Sequence, residues 1–157
     1  MIPVKNLRYN TSSFLFNSLV RIMEKNHLKA AGLKITTPRM RILDLLTTSG
    51  DRHLSAEEIY QQLHKIDTDI SIATIYRVLT QFEAAGLVIR HNFEENYSVF
   101  ELNHGEHHDH LVCMKCRKVV EFHDAVIEAR QEELTKQFGF VMKEHCLTIY
   151  GVCSSCQ

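Results

Sequence analysis

The chain is short of the features that would place it in several large classes. Its 157 residues include only two prolines, six glycines and no tryptophan, and its first 112 residues contain no cysteine. So little proline and glycine, with 45% hydrophobic and 24% charged residues, excludes a collagen-like, low-complexity or extensively disordered chain. No apolar run approaches the ~20 residues of a membrane-spanning helix, so no membrane partner is expected. Lys5 and Arg8 precede Phe14, Leu15 and Phe16, but Asn17 and Ser18 follow and no small-residue cleavage site comes at the right distance. A secretory signal is therefore not expected, and the expected location is the cytoplasm. Five cysteines are an odd number, which suits a disulfide framework poorly. Reduced, clustered thiols in the cytoplasm point instead to metal. The formal net charge is only −1, which at first weighs against a nucleic-acid partner.

What is present is unevenly distributed. Residues 1–90 carry a charge of +4 and residues 91–157 a charge of −5. All five Cys lie at or after position 113, and six of the ten His at or after position 104. A basic half thus precedes an acidic half rich in Cys and His.

Residues 1–17 have no clear period, and residues 1–22 are read as an extension, or as a mis-called start if Met23 is the true one. A helical pattern from Leu19 to Ala31 stops at Gly32. Thr37 reads as an N-cap with Pro38 at the first helical position, followed by Met40, Ile42, Leu43, Leu45 and Leu46 on one face. Ser49-Gly50-Asp51 reads as the loop that ends it. Ser55-Ala56-Glu57-Glu58 fits a capping box ahead of Ile59, Leu63 and Ile66. Asp67-Thr68-Asp69 is a polar break. Ser71 can cap a further helix carrying Ile75, Val78, Leu79 and Phe82, which stops at Gly86. Strands at Leu87–His91 and Ser98–Leu102 flank the turn Glu94-Glu95-Asn96. Helices followed by a hairpin follow the order of a winged helix-turn-helix. Residues 103–106 read as a hinge. Beyond it come strands at Asp109–Cys113 and Val119–Phe122, a helix at Asp124–Phe138, and a strand from Phe140 to about Val152. The expected class is α+β: a winged helix over 23–102, then a small α/β unit over 107–157.

A helix entering the major groove needs small or polar residues at its leading end and an apolar rear. Ser71, Ala73, Thr74, Tyr76 and Arg77 can face DNA while Ile75, Val78, Leu79 and Phe82 pack behind. Tyr76 can hydrogen-bond or touch a thymine methyl, and Arg77 can pair with phosphate or guanine. Lys34, Arg39 and Arg41 are placed to touch the DNA backbone or a minor groove. A plain helical hairpin with solvated charges has the same periodicity, so this pattern alone leaves both readings open.

Cys113-x-x-Cys116 and Cys153-x-x-Cys156 supply four thiolates, the complement of a tetrahedral structural zinc. Redox pairs and free thiols are the rivals. Cys146 stands alone, and core packing within the last strand is expected of it. In Glu106-His107-His108-Asp109-His110, an extended backbone would alternate side chains, putting His108 and His110 on one face and His107 and Asp109 on the other. One segment can then feed two nitrogen–oxygen sites, suited to Fe, Mn, Co, Ni or Zn. The remaining donors must come from elsewhere, with Glu101, Glu121, Glu128, His145 and His53 the candidates. His27, His64, His91 and His123 are read as surface histidines.

These residues carry a resemblance. From about Leu28 to Cys156 the chain resembles the ferric uptake regulator family of bacterial metal-dependent repressors. The similar stretches are Ala31-Gly32-Leu33-Lys34-Ile35-Thr36 with Pro38-Arg39, Ala73-Thr74-Ile75-Tyr76-Arg77-Val78-Leu79, Phe82 with Gly86, His91-Asn92-Phe93, His107-His108-Asp109-His110-Leu111, and both Cys pairs. The resemblance implies a homodimer on double-stranded, AT-rich operator DNA, and leaves a higher-order assembly on DNA open. It implies structural zinc on Cys113, Cys116, Cys153 and Cys156. It implies a regulatory metal on His53, Glu101, His108, His110 and Glu121, and an additional metal on His107, Asp109, Glu128 and His145. It marks Tyr76, Arg77 and Lys34 as DNA contacts. The expected function is a repressor of iron-uptake genes loaded with Fe(II), replaceable by Mn(II) or Zn(II) in vitro. The peroxide-sensing branch is similar but carries Asp where this chain has Glu101 and Glu121, which favours iron. Sensing of zinc, manganese, nickel or peroxide is the alternative within the family. A metallohydrolase is the remote one, and nothing resembles H-E-x-x-H, so no enzyme is expected.

Overall fold

A computed structural model describes residues 26–49, 53–66, 69–94, 97–105 and 107–157. The expected extension over 1–22, most of the Leu19–Ala31 pattern, and parts of the loops at 49–51, 67–69, 94–96 and 103–106 lie outside the described residues. The chain divides into two compact units between Asn103 and His104.

The first unit is built from helices and a hairpin. After a helical stretch at 26–30 come α1 (Thr37–Thr48), α2 (Ala56–Lys65), α3 (Ile72–Ala84), β1 (Val88–Glu94) and β2 (Tyr97–Leu102). Helix α1 begins one residue earlier than its sequence suggests. Thr36 is the cap, with no side-chain hydrogen bond, and Thr37 is already helical. Pro38 fits at the second helical position because its missing N–H would have no intrahelical acceptor there. The capping box of α2 forms in full: Glu58 N–H donates to Ser55 Oγ (3.2 Å) and Ser55 N–H to Glu58 Oε2 (2.8 Å). Helix α3 starts at Ser71, whose hydroxyl accepts from Thr74 N–H at 3.3 Å. It stops at Gly86, whose φ of +68° only glycine adopts without strain.

The apolar faces of the three helices and the hairpin meet in one core. Ile42, Leu43, Ile59, Leu63, Ile75, Leu79 and Phe82 are each at most 1% exposed, and Leu28, Leu54, Val88 and Phe100 join them. Strands β1 and β2 pair antiparallel, with His91 opposite Val99 and Ile89 opposite Glu101. The hairpin reaches nearer its turn than expected because Asn92 and Ser98 pair and their side chains bond at 2.6 Å. Leu54 adds a one-residue bridge to Phe100, exchanging both backbone hydrogen bonds (3.1 and 2.9 Å). Helices backed by this small sheet make a winged helix.

The second unit contains β3 (Asp109–Cys113), β4 (Val119–Phe122), α4 (Ala125–Gln137) and β5 (Thr148–Gly151). Strand β3 is central, antiparallel to β4 and parallel to β5. Asp124 caps α4 by accepting from Val126 and Ile127 N–H. The long final strand expected from Phe140 is not formed, and only Thr148–Gly151 is strand. The cause is the length of its partner. β3 begins at Asp109 and its pairing with β5 begins with His110 opposite Thr148, so beyond the bond from His110 N–H to the Leu147 carbonyl (3.0 Å) the residues before 147 have no β3 backbone opposite them. Cys146 accordingly lies outside any strand and is exposed, which overturns its expected core role.

Candidate metal centres and nucleic-acid interface

The four cysteines Cys113, Cys116, Cys153 and Cys156 come together in the second unit. Each offers a sulfur, and all four sulfurs lie within 4.8 Å of one another. Cys116 and Cys153 sulfurs are 3.6 Å apart. Tetrahedral zinc with Zn–S bonds of ~2.3 Å requires sulfurs about 3.8 Å apart, so the cluster fits zinc. The parallel β3–β5 pairing sets this up, because Cys113 sits opposite Gly151 and the Cys153 loop follows at once. Cys153 N–H donates to Cys113 Sγ at 3.4 Å. That bond, with the N–H groups of Cys116 and Lys115, lowers the Cys113 thiol to about 6. Cys156, surrounded by the Cys153 and Cys116 sulfurs, is pushed up to about 12. The cluster thus favours a thiolate at Cys113 and opposes one at Cys156, an imbalance that a bound cation removes.

A second donor set lies in the same unit. His107, Asp109, Glu128 and His145 place one ligand atom each within 4.8 Å of the others. His145 Nε2 is 2.9 Å and His107 Nε2 3.4 Å from the Glu128 carboxylate, and His107 is 3.3 Å from Asp109. Asp109 is fully buried; its Oδ1 accepts from Leu147 N–H at 3.2 Å, while Oδ2 has no hydrogen-bond partner. A buried carboxylate oxygen left bare beside two imidazoles is satisfied by a cation.

On the opposite side of the same strand, the His108 and His110 rings are 4.9 Å apart, and His110, 1% exposed, stands opposite Glu121 in the β3–β4 register. The first unit holds a third group of donors. The Leu54–Phe100 bridge sets His53 against Glu101, with His53 Nε2 3.0 Å from Oε2 and both side chains about 5% exposed or less. His91 also reaches Glu101, donating from Nε2 to Oε1 at 2.8 Å. Its expected role as a surface histidine is therefore corrected. The missed signal is hairpin register: with Ile89 opposite Glu101 and His91 opposite Val99, His91 and Glu101 are diagonal neighbours on one face.

Helix α3 presents Ser71, Ala73, Tyr76 and Arg77 to solvent and Thr74 half-buried, with Ile75, Val78, Leu79 and Phe82 behind. Tyr76 donates its hydroxyl to Glu57 Oε1 on α2 at 2.6 Å, and that bond raises the phenol's pKa. Lys34 is exposed. Arg39 is half-buried and engaged within the unit. Its guanidinium donates to Gln81 Oε1 (2.8 and 3.3 Å) and to the Lys34 carbonyl (2.6 Å), tying α1 to α3.

A family model described as the ferric uptake regulator family matches residues 30–150. A protein named ferric uptake regulation protein from Legionella pneumophila is 57% identical over 134 residues, covering 85% of this chain and 98% of that protein. Among solved structures, the Vibrio cholerae ferric uptake regulator is 50% identical with a TM-score of 0.76, covering 80% of this chain and 96% of its own. The Francisella tularensis ferric uptake regulator, solved with iron, is 42% identical with a TM-score of 0.76, covering 80% and 95%. With its winged helix, its four-cysteine cluster and its paired histidine–carboxylate sets, this chain belongs to the ferric uptake regulator family.

Proposed function

We propose that this chain is a metal-dependent transcriptional repressor, a homodimer that binds AT-rich operator DNA when loaded with Fe(II) and so controls iron-uptake genes. The observation that carries the reading is a winged helix with an exposed, polar-fronted α3, in one chain with four thiols at zinc spacing and two imidazole–carboxylate sets. The Francisella relative solved with iron supports the choice of metal.

Cys113, Cys116, Cys153 and Cys156 hold a structural zinc. His107, Asp109, Glu128 and His145 hold a further divalent ion. On their motif positions in the sequence, His53, Glu101, His108, His110 and Glu121 hold the regulatory ion. Nitrogen and oxygen donors of this kind accept Fe(II), and also Mn(II) or Zn(II) in vitro. A bound ion supplies fixed positive charge that orders the imidazoles and carboxylates around it.

The chain's own residues do the DNA work. Ser71, Ala73 and Thr74 are small enough to let the front of α3 approach base edges, while Tyr76 and Arg77 reach bases and phosphate. Lys34 adds a backbone contact, and Arg39 positions the Lys34 segment through its bond to the Lys34 carbonyl. In a dimer, two such helices must match successive major grooves. Loading favours DNA binding only through a difference in metal affinity between competent and incompetent arrangements. Moving a 1:99 population to 99:1 needs about 5.5 kcal/mol.

A second copy of the chain is the occupant that fits the apolar surface of the second unit. Helix α4 has no buried residue, and Val126, Phe138, Phe140 and Val141 are each more than 70% exposed. Leu111, Val120 and Ile149 are each about 42% exposed on neighbouring strands. Patches of this kind mark association surfaces. Thiols intended for zinc fit the reducing cytoplasm.

The test is a gel-shift on an AT-rich operator with and without Mn(II) or Fe(II) under reducing, anaerobic conditions. The expected outcome is metal-dependent retardation at moderate salt. Absence of retardation, with zinc still bound, would refute the repressor and leave a zinc-dependent scaffold.

A further inference from the structure

His91 has no place in the metal sets expected from the sequence, yet its Nε2 lies 2.8 Å from Glu101 Oε1, nearer than the 3.0 Å from His53 Nε2 to Oε2. Its position follows from the hairpin. Residues 89, 91 and 93 of β1 share one face, and the register puts residues 99 and 101 of β2 on that face. The His91 ring lies flat against Phe93, with ring centres 5.6 Å apart and planes 6° from parallel. Its side chain is 14% exposed, between a stacked aromatic and a buried carboxylate. The ring plane is thereby fixed, and so is the direction of its Nε2–H.

The two Glu101 oxygens are divided between two histidines. Oε1 accepts from His91 and Oε2 lies 3.0 Å from His53. We propose that His91 is a positioning residue: by holding Oε1 it turns Oε2 toward His53 and presets the pair for a divalent ion. The inference rests on the reading of His53 and Glu101 as metal ligands. The physical reason is general. A ligating carboxylate with its second oxygen hydrogen-bonded keeps one orientation, and loss of such outer partners lowers metal affinity about 10- to 100-fold. Replacement of His91 by a group without a donor should free the carboxylate to rotate. Phe93 is the second half of the device, since it stops the imidazole from following the carboxylate or turning to solvent.

The experiment titrates the full-length, zinc-loaded protein with Co(II), read by visible absorption, in a His145→Ala background that disables the second donor set. His91→Phe keeps the stacked ring and removes the donor; His91→Gln restores an N–H. A 10- to 100-fold weaker apparent Co(II) affinity in His91→Phe is expected, with an absorption spectrum unchanged at saturation and most of the affinity regained in His91→Gln. The metal-free melting temperature of each variant reports folding separately. Equal affinity in His91→Phe and the parent overturns the proposal. A changed saturated spectrum in both variants overturns it too, because His91 would then be a ligand itself. Glu101→Gln tests the underlying reading independently: if it binds Co(II) like the parent, Glu101 is not a ligand and the metal assignment falls, whatever His91 does.

Discussion

Replacing Cys113 with serine should separate the two units in stability. The first unit has fifteen buried apolar residues in one cluster, from Leu28 to Phe100. Beyond residue 103, among the described residues, the buried apolar side chains are Val112 (3% exposed) and Cys113 itself (4%). Burial of one valine is worth ~2 kcal/mol. A four-thiolate zinc in a small zinc-binding peptide is worth ~10–16 kcal/mol. In the second unit the metal cluster is thus severalfold larger than the interior that hydrophobic burial provides. Serine is a poor ligand and removes a sulfur whose thiol is lowered to about 6. It also replaces the sulfur that accepts from Cys153 N–H, the bond that links β3 to the C-terminal loop, with an oxygen on a shorter bond. Calorimetry should show the first unit melting near its original temperature while the second loses its cooperative transition. Zinc content should fall well below one per chain, and hydrogen exchange should accelerate over residues 109–113 and 148–151 but not over α1–α3. A parent-like melt with one zinc retained would refute the four-thiolate site and the dependence of this unit on it.

Other consequences are as direct. Arg77→Ala should weaken operator binding by a similar factor across operator sequences and reduce the slope of log K against log salt by about 1, measured by filter binding at several salt concentrations. A loss confined to one base pair would make Arg77 a base reader instead. Val120→Asp puts a charge on the exposed sheet face and should give monomers in sedimentation at micromolar concentration with zinc retained; an intact dimer would move the association surface elsewhere. The ratio of operator affinity with and without Mn(II) should persist from 50 to 200 mM salt if loading acts by arranging the reading helices. A collapsing ratio would mean that the ion acts by charge alone.

The parts of this chain that could be read from its sequence are those governed by local chemistry. Ser55-x-x-Glu58 specifies its capping box because both partners lie within one turn. Thr36 was less legible as a cap, because no side-chain bond marks it and Pro38 tolerates either of the first two helical positions. The alternation of His107 to His110 follows from an extended backbone alone, and it sorts the donors onto two faces. Non-local effects were harder. The short β5 is set by where β3 begins, a fact about a segment nearly forty residues away. His91 was missed because its role depends on pairing between strands, and the Arg39–Gln81 bond is not legible because Gln81 lies on another helix.

The near-neutral net charge conceals this division of labour. The basic surplus belongs to the stretch with the winged helix, where phosphate must be met. The acidic surplus of −5 divides into −3 over residues 91–103 and −2 over residues 104–157, the unit with the four cysteines, and part of it is committed to the proposed metal sites. Of the eleven carboxylates beyond residue 90, four are Glu101, Asp109, Glu121 and Glu128, the acidic members of the two proposed nitrogen–oxygen sites. Two divalent ions carry the four positive charges that match them. Without ions these groups are held by histidine contacts such as His145 to Glu128 at 2.9 Å and His53 to Glu101 at 3.0 Å. Each is an imidazole–carboxylate pair whose donor atoms a metal can take over, its charge offset by the carboxylates. A protein that must fold metal-poor and respond when metal arrives needs carboxylates that are tolerable in both states, and pairing each with a neighbouring imidazole meets that need.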